Sequence, residues 1–526
     1  MKFIVKNLRI PIETDGNDTY LAASASKMHV PAASLKIVKI LSKNLDLRDK
    51  SQFYYKISLL VRTEQNCHAT EDVITYIKEP SPTPLAAAFS TADRPLIVGF
   101  GPAGMFAALT LIDHGFRPII FERGKKIDER SVDVERFIKE RQLNPESNIQ
   151  FGEGGAGSYS DGKLFSRRDK NTSTVNQVLK TFIKFGAPKE IAYISKPHLG
   201  TDVLCKIVKN IRTYILEHGG TIHYSAKMTD LLVTHGSVSG LIINDEEEYL
   251  ASTVFLALGH SARDTLQVLQ KRNIALEQRA IAIGVRIEHP VEIIDRMRYG
   301  EKYFGFPALG AATYSINHTN RKIKRGVYTF CMCPGGEIVN ASSEPGMLVL
   351  NGMSYSDRAL PFSNGALVVS CHCSDYSTSD PLAGIAFQRQ IEKNAYEAGG
   401  RTWKAPAQNL MHFLGETETN DPQQSSYQMA VTAADMHTIF PEFIHTELHA
   451  AFQKWKQSVP LFVSEHALLL AAETRTSSPV RISRTENFES INTKNLYPIG
   501  EGAGYTGGIT SSAADAIKAV HRFSKK

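Results

Sequence analysis

The stretch that most constrains the fold is residues 94–124, which contains a glycine motif of the form G-x-G-x-x-G. A short apolar run at 96–98 precedes the motif and predicts a buried strand, and a helical pattern follows it. In such a unit Gly99 allows the tight turn, Gly101 lets the backbone approach a pyrophosphate, and Gly104 lets the helix pack closely on the strand. The stretch therefore predicts a dinucleotide-binding strand–turn–helix unit.

Two further residues support this prediction. Pro102 falls in the first helical turn, where a missing N–H costs nothing and the remaining free N–H groups attract phosphates. Glu122 ends the next apolar run, 18 residues past Gly104, where an acid accepts hydrogen bonds from ribose hydroxyls and repels a 2′-phosphate. FAD or NAD is therefore favoured over NADP. A glycine-rich turn in an ordinary α/β unit remains the alternative.

A second glycine cluster lies at residues 151–164. So many glycines close together cost conformational entropy, which indicates that the backbone approaches another group closely. We interpret the cluster as a loop that lies along a flavin, with a flexible surface loop as the alternative. Its candidate binding residues are Gly154, Gly155, Gly157, Ser158, Asp161 and Gly162.

The end of the chain returns to the same type of pattern. An apolar run at 496–499 leads into Gly500, Glu501 and Gly502, and a glycine-rich turn precedes a predicted helix at 510–522. The hydroxyls that open this helix, on residues 510–512, are N-cap candidates, and the positive end of the helix is predicted to face a ligand.

Composition limits the class of protein. A chain of 526 residues, 42% hydrophobic and 22% charged, is long enough for about three domains. No apolar run approaches the roughly 20 residues that span a bilayer, and six cysteines in a chain of this length suggest no disulfide framework. We therefore expect a cytoplasmic protein without a membrane segment. Residues 1–62 alone carry a net charge of +6, which forms either a solvated face or a contact surface for a polyanion such as RNA.

Several motifs together resemble the glutathione-reductase-type FAD superfamily. The similarity is greatest to the bacterial family of FAD-dependent, or NAD(FAD)-utilising, dehydrogenases, and it covers most of residues 85–526. It rests on VGFGPAG with Glu122, GEGGAGSYSDGKL, LALGHSARDT, CMCPGG, ETRTSSPVRI and YPIGEGAGYTGGI. The resemblance implies an extended FAD, with adenine near Met228 and the ribityl chain near Glu501, where most superfamily members carry Asp.

The complete set of predicted cofactor-binding residues combines the motifs and the resemblance. It consists of Gly99, Gly101, Pro102, Ala103, Gly104, Glu122, Arg123, Gly154, Gly155, Gly157, Ser158, Asp161, Gly162, Met228, Gly259, Gly500, Glu501, Gly502, Gly507, Gly508 and Ile509. By the resemblance, Gly259 closes a buried strand near the adenine, and the last three residues face the pyrimidine edge of the flavin.

We predict an α/β fold: a Rossmann-type, glutathione-reductase-like FAD-binding domain with an inserted mixed α+β domain and a small N-terminal α+β domain. The predicted boundaries are 1–78 for the N-terminal module, 79–93 for a proline-rich linker, 94–274 and 461–526 for the two parts of the FAD-binding domain, and 275–460 for the inserted substrate or cap domain. We also expect one strand at 221–233 and helices near 381–398 and 422–437.

Fewer residues are candidates for a catalytic, redox or metal-binding role than for cofactor binding. The pairs Cys331/Cys333 and Cys371/Cys373 have three alternative interpretations. They are cysteines packed in strands, they include a redox-active thiol, or their four thiols together bind one metal. The remaining candidates, each of which has a structural alternative, are Arg475 and Arg481 for anion binding and His198, His260 and Tyr505 for proton relay. No second glycine motif marks a nicotinamide domain, so NADH or NADPH is at most a transient reductant. We assign no catalytic base and no metal.

These observations predict an FAD-dependent oxidoreductase that exchanges a hydride between flavin and a small organic substrate. The alternative is a flavoprotein whose basic N-terminal module docks RNA or another polyanion for modification or redox sensing.

Overall fold

The structure is a computed structural model that describes residues 1–77, 94–164, 172–422 and 424–525. The predicted linker at 79–93 lies outside the described residues. No helix in these ranges combines the length and the apolar character needed to cross a membrane.

The N-terminal unit is an antiparallel sheet covered by one helix. Its elements are β1 (Lys2–Pro11), α1 (Asn17–Met28), β2 (Lys36–Asp46), β3 (Tyr54–Arg62) and β4 (Val73–Thr75). The strand order is β2-β3-β1-β4. Apolar side chains of β1 and β3 are buried beneath α1, which gives the unit its own core. The ring of Phe53 stacks on that of Tyr303 at 4.3 Å, so the unit also packs against the rest of the chain. Docking of a polyanion by this unit stays a prediction.

The second region contains the predicted dinucleotide unit. Its elements are β5 (Leu96–Val98), α2 (Pro102–Asp113), β6 (Ile119–Phe121), α3 (Ile127–Glu140), α4 (Ser173–Lys184), α5 (Gly200–Glu217), β7 (Thr221–His223), β8 (Met228–Thr234), β9 (Ser237–Ile243), β10 (Glu247–Leu250), β11 (Val254–Leu256) and α6 (Arg263–Lys271). The strand expected at 221–233 is therefore two strands in two different sheets, since β7 pairs with β6 and β8 pairs with β9.

The remainder of the chain contains most of the strands. Its elements are β12 (Leu276–Gln278), β13 (Ile281–Pro290), α7 (Val291–Tyr303), β14 (Asn317–Asn320), β15 (Arg325–Cys333), β16 (Glu337–Asn340), β17 (Leu350–Met353), β18 (Phe362–Cys371), α8 (Ala383–Ala398), β19 (Ala405–Asn409), α9 (Leu410–Phe413), β20 (Val431–Ala433), α10 (Glu442–Ser458), β21 (Leu468–Glu473), β22 (Val480–Ile482), β23 (Leu496–Pro498) and α11 (Ile509–Phe523).

A five-stranded parallel sheet forms the first of two large layers. Its order is β23-β11-β5-β6-β7. The strands β5, β11 and β23 are buried throughout, as expected for parallel strands covered on both faces. Because β23 joins the sheet beside β11, the last segment of the chain lies next to the first glycine motif. A Cβ placed on Gly500 would lie 2.7 Å from the Cβ of Ala103, so the two turns are in contact.

A seven-stranded sheet of order β14-β15-β18-β13-β21-β19-β20 forms the second layer. Strand β13 is its centre: it pairs with β18 from Ile281 opposite Cys371 to Pro290 opposite Phe362. Strand β21 also lies within this sheet, although the sequence analysis assigns residues from 461 onward to the second part of the FAD-binding domain. The sheet carries the largest apolar core of the chain.

The helix expected near 422–437 is wrong. Within 424–437 the structure has β20 and a 3₁₀ turn at Met436–Thr438, and β20 pairs in parallel with β19. Pairing with a neighbouring strand overrides the local helical pattern. Helix α10 was not expected from the sequence, and its inward face is formed by Ile444, Leu448, Ala451, Phe452 and Trp455.

Candidate functional site

The first glycine motif forms a tight turn between β5 and α2. Gly99 has φ +99°, and a Cβ on it would lie 2.4 Å from the carbonyl oxygen of Ala257. A Cβ on Gly104 would lie 1.9 Å from the carbonyl oxygen of Gly99. The turn conformation and the close approach of helix and strand therefore require glycine at these two positions.

The N-terminus of α2 is open for an anion. Gly101 is its N-cap, Pro102 follows, and no side chain caps this end. Gly101 faces Gly155 of the second glycine cluster, because a Cβ on Gly101 would lie 3.6 Å from the Cα of Gly155. Two glycine-rich turns thus meet at the positive end of one helix, which is the arrangement that binds phosphates in other proteins.

Glu122 is buried at the end of β6 and holds this region together. Its carboxylate accepts backbone N–H bonds from Phe100 at 2.8 Å and from Gly124 and Gly152 at 2.9 Å each. The side chain also lines the cavity described below. The predicted ribose contact stays a prediction, and the structure adds that this acid orients the backbone on both sides of the turn.

Arg123 is committed to ion pairs. Its guanidinium donates to Glu146 at 2.8 Å and to both oxygens of Asp264 at 2.9 Å, and it stacks over the ring of Phe151 at 4.0 Å. Bidentate pairing with Asp264 fixes the plane of the guanidinium. Arg123 therefore presents a neutralised, rigid surface to the cavity rather than a free cation.

The second glycine cluster contributes its backbone. Gly155 and Gly157 lie against the first turn and against Ile509, whose Cγ1 would be 3.3 Å from a Cβ on Gly157. Gly154 and Ser158 shape the loop from behind, since a Cβ on Gly154 would lie 2.1 Å from the Ser158 Oγ. The cluster is therefore a packed turn rather than a flexible surface loop.

The last glycine-rich segment completes the enclosure. A Cβ on Gly502 would lie 2.4 Å from the carbonyl oxygen of Gly259, whereas a Cβ on Gly259 or Gly508 would meet no atom within 4 Å. Gly508 is the N-cap of α11, which has no side-chain cap. Burial raises the pKa of Glu501 to about 7, against the opposing effect of the Gly508 N–H.

The predicted hydroxyl caps of α11 are wrong. Thr510 donates to the carbonyl oxygen of Leu164 at 2.8 Å, and Ser511 donates to that of Gly507 at 3.1 Å. Gly508 occupies the cap position instead. The N-terminal N–H groups of α11 therefore remain available to a ligand.

One cavity joins these segments. Its space, including the opening to solvent, is about 1510 Å³. The predicted residues that line it are Gly99, Gly101, Pro102, Ala103, Glu122, Arg123, Gly155, Gly157, Asp161, Gly162, Met228, Gly259, Glu501, Gly508 and Ile509. The predicted residues that support this lining from outside it are Gly104, Gly154, Ser158, Gly500, Gly502 and Gly507.

Most of a second wall of the cavity could not be recognised from the sequence. This wall, which we call the charged wall, consists of Lys163, Phe330, Cys331, Asn351, Glu473, Arg475 and Thr476. Lys163 forms an ion pair with Asp161 at 2.9 Å, and Glu473 forms one with Arg286 at 3.1 Å. Burial raises the pKa of Glu473 to about 7 despite that partner. One sequence signal could have indicated the second pair: Arg286 and Glu473 are charged residues in two strands that are otherwise largely apolar.

Arg475 belongs to a buried charge network rather than to a surface. Glu392 accepts from Arg475 at 2.9 Å and from Arg263 at 2.7 Å, and these guanidiniums hold the pKa of its carboxyl well below the usual range. His260 lines the cavity beside this network, and burial with the two arginines lowers its pKa to about 3. A neutral His260 is thus available as a hydrogen-bonding group.

The other candidates lie outside the cavity lining. His198 contacts the carbonyl oxygen of Ser356 at 3.2 Å. Tyr505 accepts a backbone N–H bond from Arg484 at 3.1 Å, and the Arg481 guanidinium lies over its ring at 5.2 Å. These contacts favour structural roles.

The two C-x-C pairs lie towards opposite ends of neighbouring strands. Cys333 is opposite Asn364, and Cys371 lies seven residues further along β18. At about 3.3 Å per residue the pairs are roughly 23 Å apart. The suggestion that four thiols bind one metal is therefore wrong. Among the described residues, the group whose ligand atoms do lie together, within 4.8 Å, is His437, Glu442 and His445.

Comparison with known proteins identifies the family. Over 535 residues the chain is 38% identical to a protein from Clostridium beijerinckii described as "Uncharacterized protein", which covers 100% of this chain and 99% of that one. Residues 280–476 match the family model "FAD-dependent protein, C-terminal domain-like". The chain belongs to a family of FAD-dependent proteins. FAD is its cofactor, and the open positions at Gly259 and Gly508 leave room for such a group along the cavity.

Solved structures show weaker similarity. CtdE in complex with FAD is 11% identical, with a TM-score of 0.32, over 82% of this chain and 84% of that one. A triple mutant of the flavin-dependent brominase Bmp2 is 12% identical, with a TM-score of 0.34, over 82% of this chain and 79% of that one. THI4 from Thermovibrio ammonificans is 19% identical, with a TM-score of 0.24, over 36% of this chain and 66% of that one. Similarities this weak assign no function to this chain.

Proposed function

We propose that this protein is an oxidoreductase that exchanges a hydride between FAD and a small organic substrate. The observation that carries the proposal is that the glycine-rich turns and the charged wall line the same cavity. One side offers mainly backbone groups and two helix N-termini, which suit a dinucleotide. The other offers ionisable side chains in partly buried positions, which suit a reacting substrate.

The glycine-rich side accounts for the cofactor. We assign the pyrophosphate to the N-terminus of α2 between Gly101 and Gly155, the adenosine ribose to Glu122 and the adenine to the region of Met228. The pyrimidine edge of the flavin is assigned to the N-terminus of α11. A helix N-terminus stabilises a negative charge by about 0.3–1 kcal/mol when exposed and up to about 2 kcal/mol when partly buried. The α11 helix therefore favours the anionic reduced flavin.

The narrower family is also a proposal. The glycine motif on β5, the antiparallel strands β8–β10 before β11, and the return of the chain end at β23 support a glutathione-reductase-type FAD domain with an inserted domain. We infer that NADH or NADPH, if it reduces the flavin, binds transiently at the opening of the cavity.

The test begins with the purified chain. We expect it to bind FAD and to release FAD on denaturation. The photoreduced protein is then mixed anaerobically with panels of small organic oxidants, and return of the oxidised flavin spectrum identifies substrates, while bleaching by NADH or NADPH is followed separately. A chain that folds but does not bind FAD when reconstituted with an excess contradicts the proposal.

A further inference from the structure

The pair Cys331/Cys333 lies at an irregularity in the sheet, on the charged wall. The register of β15 against β18 shifts between Phe330 and Cys333, and Cys331 has φ +43°, a left-handed conformation that a non-glycine residue rarely adopts. Such bulges redirect side chains and concentrate at functional sites. Cys331 lines the cavity and is half-buried, whereas Cys333 is buried behind it.

The bulge brings the two thiols together. In a regular strand, residues two positions apart are separated by about 6.6 Å along the chain, which is near the upper limit of Cα separation for a disulfide. Here the Cys333 thiol donates to the carbonyl oxygen of Cys331 at 3.5 Å, so the Cys333 side chain turns back toward Cys331. The two cysteines are also close enough that each shifts the pKa of the other.

Two cations face this pair. The Arg286 guanidinium is fully buried and contacts the Cys333 Sγ at 3.8 Å and the carbonyl oxygen of Cys331 at 3.2 Å. Lys163 donates to the carbonyl oxygen of Met332, between the two cysteines. The interaction with Cys331, together with Lys163 and Arg286, lowers the pKa of Cys333 to about 6, and the same interaction raises the pKa of Cys331.

The acids that face these cations are Asp161, paired with Lys163, and Glu473, paired with Arg286. They do not reverse the preference of Cys333 for the thiolate, since its pKa remains below the ordinary thiol value with both acids present. Cys371 on the neighbouring strand shows the opposite behaviour, because burial raises its pKa to about 12. The charged wall thus distinguishes one cysteine pair from the other.

We propose that Cys331 and Cys333 form a redox-active dithiol that exchanges two electrons with FAD and then with a thiol or disulfide substrate. In the oxidation of the pair, the Cys331 S–H and the Cys333 thiolate lose two electrons and one proton as one S–S bond forms between them. Oxidised FAD accepts both electrons and that proton. The reverse reaction breaks the S–S bond and returns one thiol and one thiolate.

The arrangement also assigns the order of exchange with substrate. Cys331 is the sulfur that the cavity exposes, so a substrate thiolate attacks it, and Cys333 leaves as the thiolate that Lys163 and Arg286 stabilise. A second substrate thiol then releases the product disulfide. Two thiols become one disulfide, the protein pair regains one proton, and one proton goes to solvent. This inference rests on the proposed function, and it names thiols and disulfides as the substrate class.

The test counts electrons in the FAD-loaded protein. Anaerobic titration with dithionite, followed by the visible absorbance of the flavin, should consume four electrons per FAD in the wild type. Cys331→Ser and Cys333→Ser should each consume two. Cys373→Ser, a half-buried cysteine on the other pair, is the matched control and should consume four.

A second measurement needs no variant. Wild-type protein oxidised through its flavin is denatured anaerobically with an alkylating reagent, and four of the six cysteines in the chain should react, with Cys331 and Cys333 protected as a disulfide. After full reduction all six should react. Uptake of only two electrons by the FAD-loaded wild type, or alkylation of all six in the oxidised protein, overturns the dithiol and leaves the proposed function standing. Failure to bind FAD overturns the proposed function itself.

Discussion

Gly101→Ala should separate cofactor binding from folding. Gly101 has an extended backbone with φ −82°, which alanine adopts without strain. The new Cβ would lie 3.6 Å from the nearest atom, the Cα of Gly155, which is ordinary van der Waals contact. The fold should therefore be retained. The methyl group nevertheless occupies a surface that lines the cavity, where we assign the pyrophosphate.

The magnitude follows from the contacts that the methyl group displaces. Loss of one hydrogen bond to a charged group costs about 1.5–3 kcal/mol, which corresponds to a roughly 10- to 150-fold weaker Kd for FAD. The control is Gly16→Ala, also at the N-cap of a helix, α1, where a Cβ meets nothing within 4 Å. Binding is measured by quenching of FAD fluorescence on titration with apoprotein, and folding by circular dichroism. An FAD affinity of Gly101→Ala equal to that of Gly16→Ala, with both proteins folded, would refute the assignment.

Two further predictions concern charges. Glu392→Gln should lower the free energy of unfolding by about 3–5 kcal/mol, because it removes the buried carboxylate that the guanidiniums of Arg263 and Arg475 share. Glu397→Gln, on the exposed face of the same helix, should change the free energy of unfolding little, and urea denaturation at neutral pH measures both. Because folding lowers the pKa of Glu392, its contribution is present above the unfolded pKa and is lost as pH falls through the folded pKa, so the difference between the two variants should shrink in acid. Lys163→Met should raise the pKa of Cys333 above about 6, since it removes a cation that favours the thiolate; the ultraviolet thiolate absorbance against pH, with Cys333→Ser as blank, measures it, and an unchanged midpoint would contradict the electrostatic argument.

The cofactor side of the cavity could be predicted from the sequence because local rules govern it. The spacing of Gly99, Gly101 and Gly104 encodes a turn whose geometry depends on neighbours in the chain, and the structure shows the close approaches that the spacing implies. The family resemblance also implied that this turn and Glu501 bind one FAD, and both line one cavity. This placement agrees with the rule that parallel strands present their carboxyl ends at the same edge of a sheet.

The charged wall could not be predicted in the same way. Lys163, Cys331 and Glu473 come from a glycine-rich loop and from two strands of the seven-stranded sheet, and strand register depends on pairings distant in sequence. The bulge at Cys331 has no local signal, because CMCPGG is also compatible with a regular strand that ends at Pro334. The buried network of Arg263, Glu392 and Arg475 requires three separate elements to meet.

The two walls therefore predict different consequences of substitution. The glycine-rich side of the cavity acts mainly through backbone groups, so substitutions there should lower FAD affinity in proportion to the volume that the new side chain fills. The charged wall acts through ionisable side chains, and the pKa is about 7 for Glu473 and about 6 for Cys333. Both groups change charge near neutral pH, and they share Arg286 as a neighbour, so protonation of one alters the other. Substitution of Glu473 should consequently change the pH dependence of electron exchange while FAD remains bound.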